Sequence, residues 1–328
     1  MIDLTRASVV LALAASLIAG NTVHAQSEPF PTKPVRLIVA FDPGGTGDFV
    51  ARILAERMGN DLGQPVLVEN RSGGGGAIGA QLAARARPDG YTILQIATAH
   101  VILPSLQKNL PYDLERDFTP VFGANVVPQV VAVNAKSSFR SVADLVAAAK
   151  AAPGSLNFGS CGNGSLSHLT GALMVADLKI STTHVPFRGL GPAVQALLGN
   201  NVHFIVGNIP DVIKFVNSGD FRLLVITSEQ RLSYLPDVPT VAEQGLPALT
   251  AAFSWNSYLA PAGTPNDVVD RLYKAFAKAA SDPGLQERLA NVSVAIRPMN
   301  GAELRKHLQA ESARWRRAIV ENQVRIEN

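Results

Sequence analysis

The sequence predicts an α/β protein of two lobes, and three observations lead there. Short apolar runs alternate with amphipathic stretches over most of the chain, which is the pattern of βα units. Two glycine-rich segments, about 115 residues apart, stand where a strand turns into a helix: Asp42-Pro43-Gly44-Gly45-Thr46-Gly47-Asp48 and Gly159-Ser160-Cys161-Gly162-Asn163-Gly164-Ser165. Cleavage of an N-terminal leader after Ala25 would leave 303 of the 328 residues, beginning at Gln26, enough for two domains of ordinary size.

The leader is the first element. Arg6 supplies a positive start, Ala7 to Gly20 is almost wholly apolar, and Val23-His24-Ala25 fits a small-x-small cleavage site, so residues 1–25 read as an export signal. A membrane anchor fits less well, because the run is short of the ~18 apolar residues of a spanning helix. From Pro34 the alternation begins. Val35–Phe41 is a buried strand, and Phe49, Val50, Ile53, Leu54, Met58 and Leu62 recur at helical spacing up to Gly63. Pro65–Glu69 is the next strand, Gly73 to Gly76 opens a helix carrying Ile78 and Leu82, and Tyr91–Ile96 is a third strand after the Pro88-Asp89-Gly90 turn. The stretch Leu110–Pro120 lacks periodicity and reads as the approach to a crossover.

A second alternating region follows. Helices are expected at Val142–Ala152, Ser165–Asp177, Gly191–Leu198 and Pro210–Asn217, with strands at Leu156–Gly159, Thr183–Phe187, Val202–Gly207 and Phe221–Thr227. After the proline-rich turns at Leu235–Pro239 and Gly245–Pro247 come a strand at Ser254–Leu259 and helices at Asn266–Ser281, Pro283–Ala290 and Ala302–Glu321. Tight βα repeats imply parallel sheets covered on both faces, with the glycine turns at strand C-terminal ends where open α/β sheets bind ligands.

The chemistry sits at those turns. A helix start leaves backbone N–H groups without partners and carries the positive end of the helix dipole, and glycine lets a ligand come close. Two such starts facing each other form a clamp for a small anion. Thr46 can donate its hydroxyl to a carboxylate oxygen. Asp48 either serves the dipole of its own helix or accepts from a ligand donor or a bridging water. Asp42 beside an anion site is a conflict, which resolves if it points to solvent or selects ligands bearing a donor. Ser160, Asn163 and Ser165 offer side-chain donors around exposed amides, and Gly164 or Ser165 is the expected helix cap. His168 is expected to make a structural hydrogen bond, and Trp255 to pack near the hinge.

Composition narrows the classes. The formal charge is +3, charged residues are 17% and aromatics 6%, with no basic–aromatic interleaving of the kind that stacks bases, so no nucleic-acid partner is expected. One cysteine, Cys161, allows no internal disulfide. No H-E-x-x-H, C-x-x-C or G-K-[ST] occurs, and the histidines lack paired metal spacing, so neither metal nor cofactor is expected.

In order along the chain stand Pro31-Thr32-Lys33-Pro34-Val35-Arg36-Leu37-Ile38-Val39, Pro43–Asp48, Glu69-Asn70-Arg71-Ser72-Gly73, Asp89-Gly90-Tyr91-Thr92 and Leu110-Pro111-Tyr112-Asp113. Then come Gly162-Asn163-Gly164-Ser165 with His168-Leu169, His184–Gly189, Leu235–Thr240 and Leu259–Pro265. This ordered set resembles the substrate-binding proteins of tripartite tricarboxylate transporters, the TctC-like or Bug family. The resemblance implies a bilobal type II periplasmic-binding-protein fold, two doubly wound α/β lobes around a central cleft with two crossover segments. It places lobe 1 at 26–125 plus 251–328 and lobe 2 at 126–250. It implies a periplasmic, non-catalytic receptor, expected to be a monomer, that captures a dicarboxylate, tricarboxylate or acidic amino acid for membrane transporter subunits or a sensor. Carried over, the pincer loops would be Phe41–Asp48, including Gly45 and Thr46, and Ser160–Ser165, including Gly162, Asn163 and Gly164. Thr98, His100, Arg188 and Asn208 would line the remaining cleft. Arg188 is a charged clamp or a surface salt bridge, and His100 a ligand contact or a structural histidine. The sequence departs from the family pattern at Asp42, Ala77, Cys161 and Gly207, all near the presumed cleft.

Two enzyme classes compete. Strand Val35–Phe41, Gly45-x-Gly47-x-x-Val50 and Glu69, 22 residues after Gly47, mimic the fingerprint of an NAD-dependent Rossmann oxidoreductase, but the third glycine is missing and Asp42 and Asp48 crowd the pyrophosphate position. A hydrolase built on Ser160 or Cys161 with His168 lacks the first glycine of a G-x-S-x-G elbow, where Phe158 stands.

Overall fold

The computed structural model describes residues 30–246, 249–250 and 252–321; the expected export signal and its cleavage point lie outside the described residues. The first region runs β1 (Val35–Val39), α1 (Thr46–Leu62), β2 (Val66–Asn70), α2 (Ala77–Ala84), β3 (Thr92–Ala97), α3 (Ala99–Leu106) and the long β4 (Phe118–Asn134). The second runs α4 (Val142–Ala151), β5 (Leu156–Ser160), α5 (Leu166–Asp177), β6 (Thr182–Pro186), α6 (Leu190–Leu198), β7 (Phe204–Asn208), α7 (Ile209–Asn217) and β8 (Phe221–Ile226). The chain closes with β9 (Phe253–Pro261), α8 (Asn266–Ala280), α9 (Pro283–Ala290), β10 (Ala295–Met299) and α10 (Gly301–Glu321).

The strands follow the order β2-β1-β3-β9-β4-β7-β5-β6, with β8 and β10 also pairing β4. β2, β1 and β3 are parallel, with Leu37 beside Val68 and Ile93. β6, β5 and β7 are parallel as well. β4 is the crossing strand between these parallel groups: Phe118–Pro128 pair antiparallel with β9, and Gln129–Asn134 pair with β7 and β8. The chain returns after β8, where the Thr227 hydroxyl bonds the Ala252 carbonyl at 3.0 Å just before β9.

β4 was not foreseen, because Pro120, Gly123 and Pro128 interrupt the apolar alternation that marks a strand. The structure accommodates Pro120 and Gly123 with register shifts between Pro120 and Phe122 and between Gly123 and Asn125, and Pro128 is the last residue paired with β9. Gly123 is required by closeness: a Cβ there would lie 2.5 Å from the Met299 side chain. β10 and α3 were also missed; α3 carries Pro104 inside a single apolar run.

The periodic face of α1, with Val50, Leu54 and Met58, packs on Val35, Leu37 and Val39 of β1 and on Leu272 and Phe276 of α8. In the second region, Leu190, Val194 and Leu197 of α6 cover Ile205, Val212 and Ile226. Trp255 is 2% exposed, and its indole N–H donates to Glu311 of α10 at 2.9 Å, so it packs between β9 and α10.

Candidate functional site

The C-terminal ends of the parallel strands face one cavity of about 110 Å³ between the two parallel groups, several times the ~10–15 Å³ that a water needs. Five helices start at its wall. α1 contributes Gly45, Thr46, Gly47 and Asp48; α3 contributes Ala99 with its cap Thr98; α5 contributes Leu166 and Ser167 with its cap Ser165. α6 brings Gly189 to Pro192, and α7 brings Asn208 and Asp211. Each start turns the positive end of a helix dipole and its first N–H groups toward the same space. No lysine, arginine or histidine lines the cavity among the described residues; the charged side chains in its wall are Asp42, Asp48 and Asp211.

Asp48 is committed to its own loop. Its carboxylate accepts the Gly44 N–H at 3.0 Å, the Asn70 side-chain amide at 2.9 Å and the Arg52 Nε at 3.0 Å. Burial would raise its pKa, but these donors and the Arg52 charge outweigh it and hold the carboxyl below its usual range. Asp42 lines the cavity and accepts the Ser72 hydroxyl.

Asp211 was not foreseen. Its carboxylate reaches from α7 to the start of α1 and accepts both the Thr46 backbone N–H at 2.8 Å and the Thr46 hydroxyl at 2.9 Å. Burial pushes its pKa up to about 6, only partly offset by the Thr46 donors and Asn208. The available signal was Asn208-Ile209-Pro210-Asp211, an acid in the first turn of a proline-started helix, the same cue that marks Asp48. Cys161 lies in the wall with its amide donating to Ser167 Oγ at 2.9 Å. Burial, with Asp211 adding to it, pushes its thiol up to about 12, so it stays a protonated thiol at neutral pH.

Of the residues named from sequence, Phe41, Gly45, Thr46, Asp48, Thr98, Ser165 and Asn208 stand at the cavity. His100, Ser160, Gly162, Asn163, Gly164 and Arg188 do not. His100 is fully buried, takes the Ala97 N–H on Nδ1 at 3.1 Å and is held near pKa 4 by burial, against backbone hydrogen bonds that raise it. Helical geometry explains this: two residues along from Thr98 is about 200° around the axis. Arg188 is exposed, whereas its neighbour Gly189 is in the wall.

The segment from Ser160 to Gly164 forms a brace behind the cavity. Ser160 Oγ accepts the Gly162 N–H at 3.1 Å and lies 2.6 Å from His184 Nε2. The Gly164 N–H donates to His168 Nδ1 at 3.2 Å, and the His168 and His184 rings stack at 3.9 Å. The Asn163 carbonyl lies against Gly75 of the opposite region, where a Cβ would come within 2.9 Å. The second region therefore meets the cavity through the starts of α5, α6 and α7 rather than through Asn163. Gln129, Ser167, Ser254 and Asn256 also line it and were missed. Gly207 is covered by Leu190, whose Cδ2 would be 2.2 Å from a Cβ at that position.

Sheet order and an inter-region cavity walled by helix starts define a bilobal α/β solute-binding protein. Residues 50–324 match the family model described as "Tripartite tricarboxylate transporter family receptor", and the chain belongs to that family. It is 37% identical over 322 residues to a UPF0065 protein from the tcbD–tcbE intergenic region of a Pseudomonas species, covering 97% of this chain and 95% of that one. It is 33% identical to the protein BugT of Bordetella pertussis over 310 residues, covering 94% and 95% of the two chains. Among solved structures, MatC from Rhodopseudomonas palustris with bound malate superposes with a TM-score of 0.84 at 31% identity, over 88% of this chain and 100% of that one. An R. palustris protein with adipate gives 0.86 at 31%, over 90% and 99%. The fold is that of periplasmic binding proteins, which implies the periplasm as its compartment, and the oxidoreductase alternative has no support.

Proposed function

We propose that this chain is a periplasmic solute receptor that closes its two lobes on a small carboxylate without transforming it. The observation that carries the reading is the convergence of five helix starts on one cavity whose wall holds no cationic side chain among the described residues. Helix N-termini are ready-made anion sites, and several together replace an arginine. The relatives solved with malate and adipate agree with a carboxylate ligand. Thr98, Ser165 and Asn208 supply side-chain hydrogen bonds, Phe41 and Gly45 shape the wall, Thr46 holds Asp211 across the cavity, and Asp48 holds the α1 loop in place.

The lobes are assigned to 26–125 plus 251–328 and to 126–250, a division supported by the change of β4 partners from β9 to β7 and β8 between Pro128 and Gln129. Export with cleavage after Ala25 delivers the chain, and the closed form, acting as a monomer, presents its ligand to membrane transporter subunits or to a sensor. Closure is favoured by ligand because both lobes contact it only when shut. The test is a thermal-shift screen of the mature chain against mono-, di- and tricarboxylates and acidic amino acids, followed by calorimetry. Saturation at a hundred times Kd raises apparent stability by about 2.7 kcal/mol; no shift with any carboxylate would refute the reading.

A further inference from the structure

We infer that Asp211 is a specificity-determining residue that occupies one of the cavity's own anion positions, so that the ligand taken carries a single carboxylate. This rests on the carboxylate-receptor reading and narrows it to one ligand class.

The geometry is that of a bound acid. A carboxylate oxygen of Asp211 takes both the first amide of α1 and the hydroxyl of the same residue, Thr46, at 2.8 and 2.9 Å. That is how a ligand carboxylate would sit at this helix start. The donor and acceptor come from α1 and α7, on opposite sides of the cavity and 165 residues apart, so the contact ties the two walls together. The α1 cradle is thus filled from within, and the starts of α5 and α6 remain for a ligand head group.

Charge points the same way. Asp48 is balanced by Arg52 in an ion pair at 2.9 Å, whereas Asp211 takes part in no ion pair among the described residues. With Asp42 also in the wall, a second ligand carboxylate would meet uncompensated negative charge in a site with no cation to receive it. The remaining wall suits an uncharged body: Phe41, Pro43, Leu166, Leu190 and Pro192.

The test compares matched acids, butanoate with succinate and hexanoate with adipate, by calorimetry at pH 7.5 on the mature chain, on Asp211→Asn and on Asp211→Ser. The natural chain is expected to bind each monoacid at least about tenfold more tightly than its diacid, and both variants to move that ratio toward the diacid by at least about tenfold. The preference of the natural chain is itself a test if the variants fold poorly. Equal or tighter diacid binding by the natural chain, or a ratio unmoved in folded variants, overturns the inference and leaves the carboxylate reading standing. If none of the four acids binds any of the proteins, this inference is overturned, because no monoacid is taken, while the carboxylate reading falls only if the full screen of carboxylates and acidic amino acids also shows no shift.

Discussion

Gly75 and Asn163 touch across the cleft: a Cβ on Gly75 would lie 2.9 Å from the Asn163 carbonyl oxygen, and Gly75 sits at φ +65°. Gly75 therefore leaves the room that the brace of the other lobe needs to come into contact with this turn. Gly75→Ala adds a methyl group at that contact in a backbone region that side chains rarely adopt. Expected are a weaker ligand affinity, by roughly tenfold, and a smaller ligand-induced compaction by X-ray scattering. Unchanged compaction and affinity would mean that the contact does not limit closure.

Asp211 makes closure sensitive to pH. Inside the closed cleft its pKa is raised to about 6, chiefly by burial, whereas a hydrated Asp titrates near ~3.9. The raised value means that the closed form binds the proton more tightly. Its contribution is present in full below pH ~4 and is lost as pH climbs through 6. From pH 4.5 to 7.5 the natural chain is expected to lose about 1–3 kcal/mol of stability that Asp211→Asn does not lose. Thermal melts of the two proteins across that range check this; parallel curves would contradict it.

Asp48 has the opposite sign. Arg52, the Gly44 N–H and Asn70 together overcome burial and lower its pKa. Its stabilisation is present above the ordinary Asp range and is lost as pH falls through the lowered value. Asp48→Ala leaves three donors without their acceptor and is expected to cost about 1–3 kcal/mol at pH 7 by denaturant unfolding. Arg52→Ala is expected to cost less, about 1 kcal/mol, because Arg52 is half exposed.

Ser165 caps α5, its hydroxyl oxygen accepting the His168 N–H at 3.2 Å. Ser165→Ala is expected to destabilise by about 0.5–2 kcal/mol, read as a lower Tm. Because the cap stands at the cavity, carboxylate affinity should fall with it; a lower Tm with unchanged affinity would assign Ser165 to the helix alone.

The sequence was informative where local rules are strong. Val35–Val39 with the α1 stripe, and each βα pair of the second lobe, carry apolar runs bounded by glycine or proline, and they folded as read. β4 was hidden because Pro120, Gly123 and Pro128 interrupt its apolar alternation; the first two sit at register shifts in the pairing with β9, and Pro128 is the last residue of that pairing. At the cavity, the glycines before Thr46 announced a helix start that forms part of the wall. The Ser160–Gly164 segment carries the same glycine-rich signature, yet its hydrogen bonds to His168 and His184 turn it into a brace. Asp211 carried only the cue of an acid in the first turn of α7; its partner, Thr46, is 165 residues away and nothing local announces that contact. His100 needed the phase of α3, a helix not foreseen.

In the proposed receptor, backbone amides at converging helix starts, rather than a cationic side chain, hold one ligand carboxylate in the cleft. A crystal structure of the mature chain with bound butanoate or hexanoate tests it most directly. Carboxylate oxygens are expected within hydrogen-bond distance of the amides that open α5 or α6, with Asp211 still on Thr46. A carboxylate paired with Arg188 or another cation, or one seated outside the cavity, would contradict it.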